Sequence, residues 1–168
     1  GDSIAATSTT HLPRSGQLAY NDNIWRFTAR TSSYQTVDKS IDALFLPYSL
    51  LPQFTLAAAV PTGTNRLHYA LSSEWVNFDR NAGVTGQRLD INPSVSLPWR
   101  NSYAFVTPKA GYRYTAYNLT DTTLGTPDET PERRLPIYSL DSGLLFEREG
   151  AWRDHAYIQT LEPRLYYL

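Results

Sequence analysis

Between Gln87 and Tyr117 the sequence keeps one rule and inverts it once. Leu89, Ile91, Pro93, Val95, Leu97 and Trp99 put apolar residues at odd positions, while Arg88, Asp90, Asn92, Ser94 and Ser96 are polar. After a short turn expected at Pro98–Ser102, the apolar residues move to even positions: Ala104, Val106, Pro108, Ala110, Tyr112 and Tyr114. Thr107, Lys109, Gly111, Arg113 and Thr115 then face the other way. Successive side chains point to opposite faces of a strand. The pattern therefore predicts a long antiparallel hairpin with one apolar and one polar face.

The same alternation recurs along most of the chain. Leu18 and Tyr20 lead into a turn expected at Asn21-Asp22, followed by Trp25, Phe27, Ala29 and Thr31 on one face. Phe54, Leu56, Ala58 and Val60 form a third run, and Leu67, Tyr69, Leu71, Ser73 and Trp75 a fourth. Past the hairpin come Tyr138, Leu140, Ser142, Leu144 and Phe146, and finally Leu161, Pro163, Leu165 and Tyr167. This predicts about eight strands and no helix, although Ile41–Leu46 has the length of one uncapped helical turn. Short turns are expected at 21–22, 61–64, 98–102 and 149–153, and longer breaks at 37–51, 79–86 and 118–133. In an up-and-down meander these two sets fall at opposite ends, the asymmetry of transmembrane barrels with short periplasmic turns and long outer loops.

No run of 18 apolar residues occurs, which excludes a membrane-crossing helix but not a membrane-crossing strand, which needs only about 9–11 alternating residues. The alternating runs reach about 10–14 residues, longer than the usual 5–6 of soluble strands. Aromatics gather toward strand ends: Trp99, Tyr103, Trp152 and Tyr157 near the short turns, Tyr34, Trp75, Tyr114, Tyr117 and Tyr138 near the longer breaks. Two aromatic belts flanking an apolar band suit a membrane interface. Trp25, Tyr69 and Tyr167 join this interface set. A soluble antiparallel sandwich also alternates and stays open as an alternative, as does a small eight-stranded barrel acting as channel or anchor. Pro93, Pro108 and Pro163 each remove a ladder donor in any of these folds. The first residues hold no basic region followed by an apolar run, so no signal peptide is expected in them, and the last strand ends without a turn, as in a fragment.

Catalytic constellations fail on geometry. With no cysteine there is no thiol nucleophile or thiolate metal site. His11, His68 and His155 are scattered, without metal-ligand spacing. Ser72 and His68 share a face but stand about 13 Å apart along one strand, too far for proton transfer. A net charge of −1 gives no electrostatic footprint for nucleic acid. No enzyme activity, metal or cofactor is expected.

Wording adds to pattern. Tyr157-Ile-Gln-Thr-Leu-Glu-Pro-Arg-Leu-Tyr-Tyr-Leu168, with Leu135–Arg148, Leu89–Pro98 and the Leu51-Pro-Gln53 strand start, closely resembles signatures of the LPS-assembly protein family LptD, also called organic solvent tolerance proteins. The resemblance covers essentially residues 1–168. It implies an all-β, antiparallel up-and-down transmembrane β-barrel wall of about eight strands, part of a 26-stranded barrel in the bacterial cell outer membrane. It implies partners: lipopolysaccharide, an LptE-like plug lipoprotein, the periplasmic LPS transport bridge and outer-membrane lipids. The family's periplasmic domain, disulfide cysteines and seam strands are not expected within this segment. The polar face, with Arg26, Arg30, Arg66, Glu74, Arg88, Asp90, Lys109, Arg113, Asp141, Glu147, Glu162 and Arg164, would then line a hydrated lumen and contact the plug or phosphorylated sugars. The plainer expectation is that these charges pair across strands and hydrate the wall, Glu162 and Arg164 first among them.

Overall fold

A computed structural model describes residues 11–38, 40–60, 67–120, 129–153 and 155–168. It is almost entirely antiparallel β: β1 (His11–Asn21), β2 (Trp25–Thr36), β3 (Ser49–Val60), β4 (His68–Asp79), β5 (Thr85–Ser96), β6 (Trp99–Arg100), β7 (Ala104–Thr120), β8 (Glu132–Leu144), β9 (Phe146–Trp152), β10 (His155–Leu161) and β11 (Arg164–Tyr167). The main sheet runs β1-β2-β3-β4-β5-β7-β8-β11, with β6 paired to β7, and β9 and β10 form a hairpin. Once β6 is taken with β5, β9 with β8 and β10 with β11, every pairing is between chain neighbours, and the topology is an up-and-down meander.

Register reduces these segments to eight long strands. Ser96 faces Lys109 and Trp99 faces Val106, so β6 continues β5 in one register past the donorless Pro98. The same holds further on: Leu161 faces Phe146 and Arg164 faces Gly143, which sets Glu162-Pro163 against Leu144-Leu145 in a single interrupted hairpin. Pro163 accepts there from the Leu144 amide (3.0 Å).

Three turns and one helical element correct the sequence reading. The first turn sits at Asn23-Ile24, after Asp22 rather than on it: Asp22 Oδ1 accepts from the Ile24 and Trp25 amides (2.7 and 2.6 Å), and Asp22 donates its own amide to Trp25 (2.9 Å). The central turn is not Pro98–Ser102 but the two residues after Asn101, whose Oδ1 accepts from the Tyr103 and Ala104 amides. The break expected from Asn118 starts later, because β7 reaches Thr120. Ala43–Phe45 forms a 3-10 turn that is capped after all, by Asp42 accepting from the Leu44 amide (2.9 Å). The turn expected at 61–64 lies outside the described residues.

Contacts between elements run along the ladders, and among the described residues no second layer packs on the sheet. There is accordingly almost no interior: Val76 and Ser32 are the buried core and buried polar residues among those described. Large apolar side chains stand open, Leu18 at 70%, Tyr138 at 68% and Tyr167 at 73% exposure. A soluble sandwich would cover one such face with a second sheet.

The Asp22 turn carries a pH dependence. Its carboxyl is held below the usual aspartate range, first by the Trp25 amide and then by that of Ile24. A depressed folded value contributes stability above the unfolded value and loses it as pH falls through the folded one. The turn is therefore expected to stay closed near neutral pH and to loosen only in acid, below about pH 4. Amide hydrogen exchange at Ile24 and Trp25, corrected for intrinsic rates, should accelerate there, and D22N should abolish the transition.

Candidate functional site

Antiparallel partners share a face, so the ladders assign every side chain. From Arg26 the row passes to Ala57, and from Ala57 to Ser72 and Asn92. Glu74 faces Asp90, and Asp90 faces Thr115. Arg113 faces Leu135, and Thr107 faces Asp141. Arg26, Arg30, Glu74, Arg88, Asp90, Lys109, Arg113, Asp141 and Arg164 thus project from one face of the main sheet. Glu147 lies in the β9–β10 hairpin opposite Thr160, and Glu162 lines a cleft with Arg164 and Asp141. Arg66 lies outside the described residues.

Trp25, Tyr69, Trp75, Trp99, Tyr114, Tyr138 and Tyr167 occupy the opposite face, and Tyr157 faces Gly150 in the β9–β10 hairpin. Tyr103 sits in the central turn. Phe27, Phe54 and Trp75 stack in series across three strands there, with centroids 6.2 and 5.7 Å apart. Two belt aromatics are corrected: Tyr34 and Tyr117 share the face of Arg30 and Arg88, since Tyr34 is even-numbered on β2 and Tyr117 faces Arg88. The side chain of Trp152 lies outside the described residues.

The charges on the polar face are wired across strands. Arg88 pairs with Glu74, which also accepts from Gln53 Nε2 (2.5 Å), linking β3, β4 and β5. Asp90 Oδ2 accepts from Arg113 Nε (2.9 Å) and Thr115 Oγ1 (2.7 Å), linking β5 to β7. Arg164 grips Asp141 with two nitrogens, at 2.8 and 2.6 Å, linking β8 to β11. Half-exposed pairs of this kind contribute about 0–1 kcal/mol each, so they fix strand neighbours more than they hold the fold. Of the two residues expected to lead this network, Arg164 joins it through Asp141.

Two concavities open on this face. The larger, about 440 Å³, lies between the central turn and the β8–β11 crossing and includes Arg100, Phe105, Asp141, Glu162 and Arg164. Phe105 lies under both Arg100 and Arg164, at 5.8 and 6.0 Å, and covers Gly143, where a Cβ would come within 2.5 Å of its ring. The smaller, about 170 Å³, gathers Arg88, Asp90, Arg113, Thr115, Tyr117, Arg133 and Leu135. Arg88 Nε is buried beside it without a hydrogen-bond partner, an unmade bond that costs on the order of 1–3 kcal/mol.

At the end of the sheet opposite the tight turns, Arg80 ties the longer connections together. Its guanidinium donates to the carbonyls of Leu44 (2.7 Å) and Ala82 (2.7 Å) and lies 4.2 Å from the Tyr48 ring centroid. Tyr48 in turn donates to the Val84 carbonyl (2.7 Å) and meets Phe78 edge-on.

Sequence reading missed Arg80, Arg100, Phe105 and Arg133, and set Tyr117 in the belt of the opposite face. Parity could have found Phe105, Tyr117 and Arg133, since each is odd-numbered beside Arg113 or Asp141. Arg80 acts through backbone carbonyls that no side-chain pattern announces. Among the described residues no group of three His, Cys, Asp or Glu residues is placed to hold a metal ion.

The family described as "LptD: LPS transport system D" matches residues 1–168. The chain is similar to the LPS-assembly protein LptD of Nitrosospira multiformis, 41% identical over 175 residues that take in all of this chain and 19% of that protein. It is 43% identical to the protein of the same description from Nitrosococcus oceani, covering all of this chain and 23% of that one. The corresponding Nitrosomonas eutropha protein is 36% identical, over 99% of this chain and 24% of its own length.

Proposed function

Because the chain belongs to the LptD family of LPS-assembly proteins, we propose that residues 1–168 form part of the wall of an outer-membrane β-barrel that carries lipopolysaccharide toward the outer leaflet. The chain spans about a fifth of the length of the curated relatives it matches. In this reading the Phe27-Phe54-Trp75 face meets lipid and the Arg88/Asp90/Arg113 face lines a hydrated lumen. The tight turns are periplasmic, and the Arg80-tied connections lie outside the cell. The segment transports without catalysing a reaction. Its partners are lipopolysaccharide, an LptE-like plug lipoprotein seated against the lumen face, and the periplasmic bridge that delivers the cargo.

The observation that carries this reading is a single-layer main sheet that keeps most of its charge on one face. Among the described residues the other face bears charge only toward strand ends, at Arg14 on β1, Asp79 on β4 and the Glu132–Arg134 pair beside Tyr114 on β8. In water an uncovered apolar face of this size is a liability, whereas in a bilayer it is the required surface. Arginine on a lipid face costs about 2–4 kcal/mol at the bilayer midplane and about 0–1 kcal/mol near the interfaces. Among the described residues of the main sheet the two arginines on the aromatic face, Arg14 and Arg134, lie within three residues of the starts of β1 and β8, at the end with the longer connections.

Residues 1–168 contain no cysteine, which permits a direct test within this segment. Single cysteines at Thr107, Lys109 and Arg113 should react with a charged, water-soluble maleimide in membranes. Those at Val106, Ala110 and Tyr112 should react at least tenfold more slowly, and only with a lipid-soluble reagent. Equal labelling of both sets would overturn the wall assignment.

A further inference from the structure

We infer that the depression between β5, β7 and β8 on the charged face is an anion site that holds a phosphate group carried on a sugar. Three guanidiniums border or converge on it, Arg88, Arg113 and Arg133, against the carboxylates of Asp90 and, behind it, Glu74. Arg133 faces Thr115 and so stands diagonally beside Arg113 on the same face. Among the described residues Arg133 makes no side-chain hydrogen bond or ion pair. Arg113 meets Asp90 through Nε, which leaves the two terminal nitrogens of its fork out of that bond.

Glu74 pairs with Arg88 and Asp90 with Arg113, so three guanidiniums stand against two carboxylates and the Arg133 charge is left over, which an added anion would balance. The orphaned Arg88 Nε marks the same place as short of acceptors. A volume of about 170 Å³ admits one anionic group with a few waters, each water taking about 30 Å³ of the liquid. Three cations arriving from three strands suit a tetrahedral group with three free oxygens better than a planar carboxylate with two. Tyr117 and Leu135 complete the rim with an aromatic ring and an apolar side chain, surfaces on which a sugar ring can lie. The identity of the carrier rests on the transport reading above; the preference for a phosphate over a neutral sugar does not.

The test uses the protein folded in bilayers or detergent, with glucose 1-phosphate, glucose, inorganic phosphate and a glutamate-rich peptide as probes. Glucose 1-phosphate should bind, glucose should not, and inorganic phosphate should compete. R133Q, which removes no side-chain hydrogen bond or ion pair seen among the described residues, should weaken glucose 1-phosphate at least tenfold, with partial recovery in R133K. A phosphorylated glycolipid should show the same Arg133 dependence, and its dephosphorylated form none. Unchanged binding in R133Q, or capture of the acidic peptide but not the sugar phosphate, would overturn the site. Arg133-dependent phosphate binding in a protein whose two faces label equally with maleimide would keep the site and remove the lumen.

Discussion

Replacing Gly86 with alanine is expected to be the most damaging single methyl group that can be added to this sheet. Gly86 sits at φ +148°, a backbone conformation that residues with a Cβ rarely adopt. It faces Phe78 on β4 and Leu119 on β7. A Cβ there would lie 2.8 Å from Leu119 Cα and would run into the Asn118 carbonyl. Both obstacles are backbone, so no rotamer change relieves them, and the β5–β7 ladder must part where Thr85 and Thr120 join it (2.7 Å). Backbone strain of about 1–3 kcal/mol and overpacking of about 1–3 kcal/mol together give a loss on the order of 2–6 kcal/mol. Denaturant unfolding in micelles should show a large fall in midpoint with little change in slope. G16A is the control. Its Cβ meets only Thr31 Cγ2, at 3.5 Å, and should shift stability by no more than about 0.5 kcal/mol. Equal effects at the two glycines would remove the argument from close approach.

The sequence disclosed the meander because strand alternation is a local property, and it holds wherever one face differs in polarity from the other. Leu89–Trp99 against Arg88–Ser96 needed no tertiary information, and the charged residues that it picked out in the main sheet do share a face. Precise turn positions were less legible. At Asn101 and Asp22 a side chain caps the hairpin from the residue before the turn, so the polar residue marks the flank and not the tip. Tyr34 and Tyr117 were misplaced because tyrosine suits an interface belt and a polar wall equally well; only the register distinguishes them. The Arg80 cluster was invisible for a different reason. Its partners are carbonyls of Leu44 and Ala82, brought together by folding across residues 44 to 82 and not by any repeat in the chain.

The second large effect is expected at Asp90, and it should exceed that of its own ion-pair partner. The Asp90 side chain is 15% exposed and accepts from both Arg113 and Thr115, whereas Arg113 is 54% exposed. Removing Arg113 costs a half-solvated pair, about 0.2–1 kcal/mol. Removing Asp90 takes away the carboxylate that separates Arg88, Arg113 and Arg133, and it leaves the Thr115 hydroxyl without its acceptor. That loss should reach about 1–3 kcal/mol for D90A. In a double-mutant cycle D90A should be milder in the R113A background, with a coupling of at least about 0.5 kcal/mol. Salt supplies a second check: raising ionic strength from about 0.01 to 1 M shortens the screening length from about 30 to 3 Å, so D90A should recover part of its stability while wild type barely changes. Phosphate should restore more than chloride at equal ionic strength, because a bound monoanionic or dianionic group can occupy the gap between the guanidiniums that a diffuse counterion only screens. A D90A variant as stable as R113A, and indifferent to salt, would mean that water alone disperses the charge on this face.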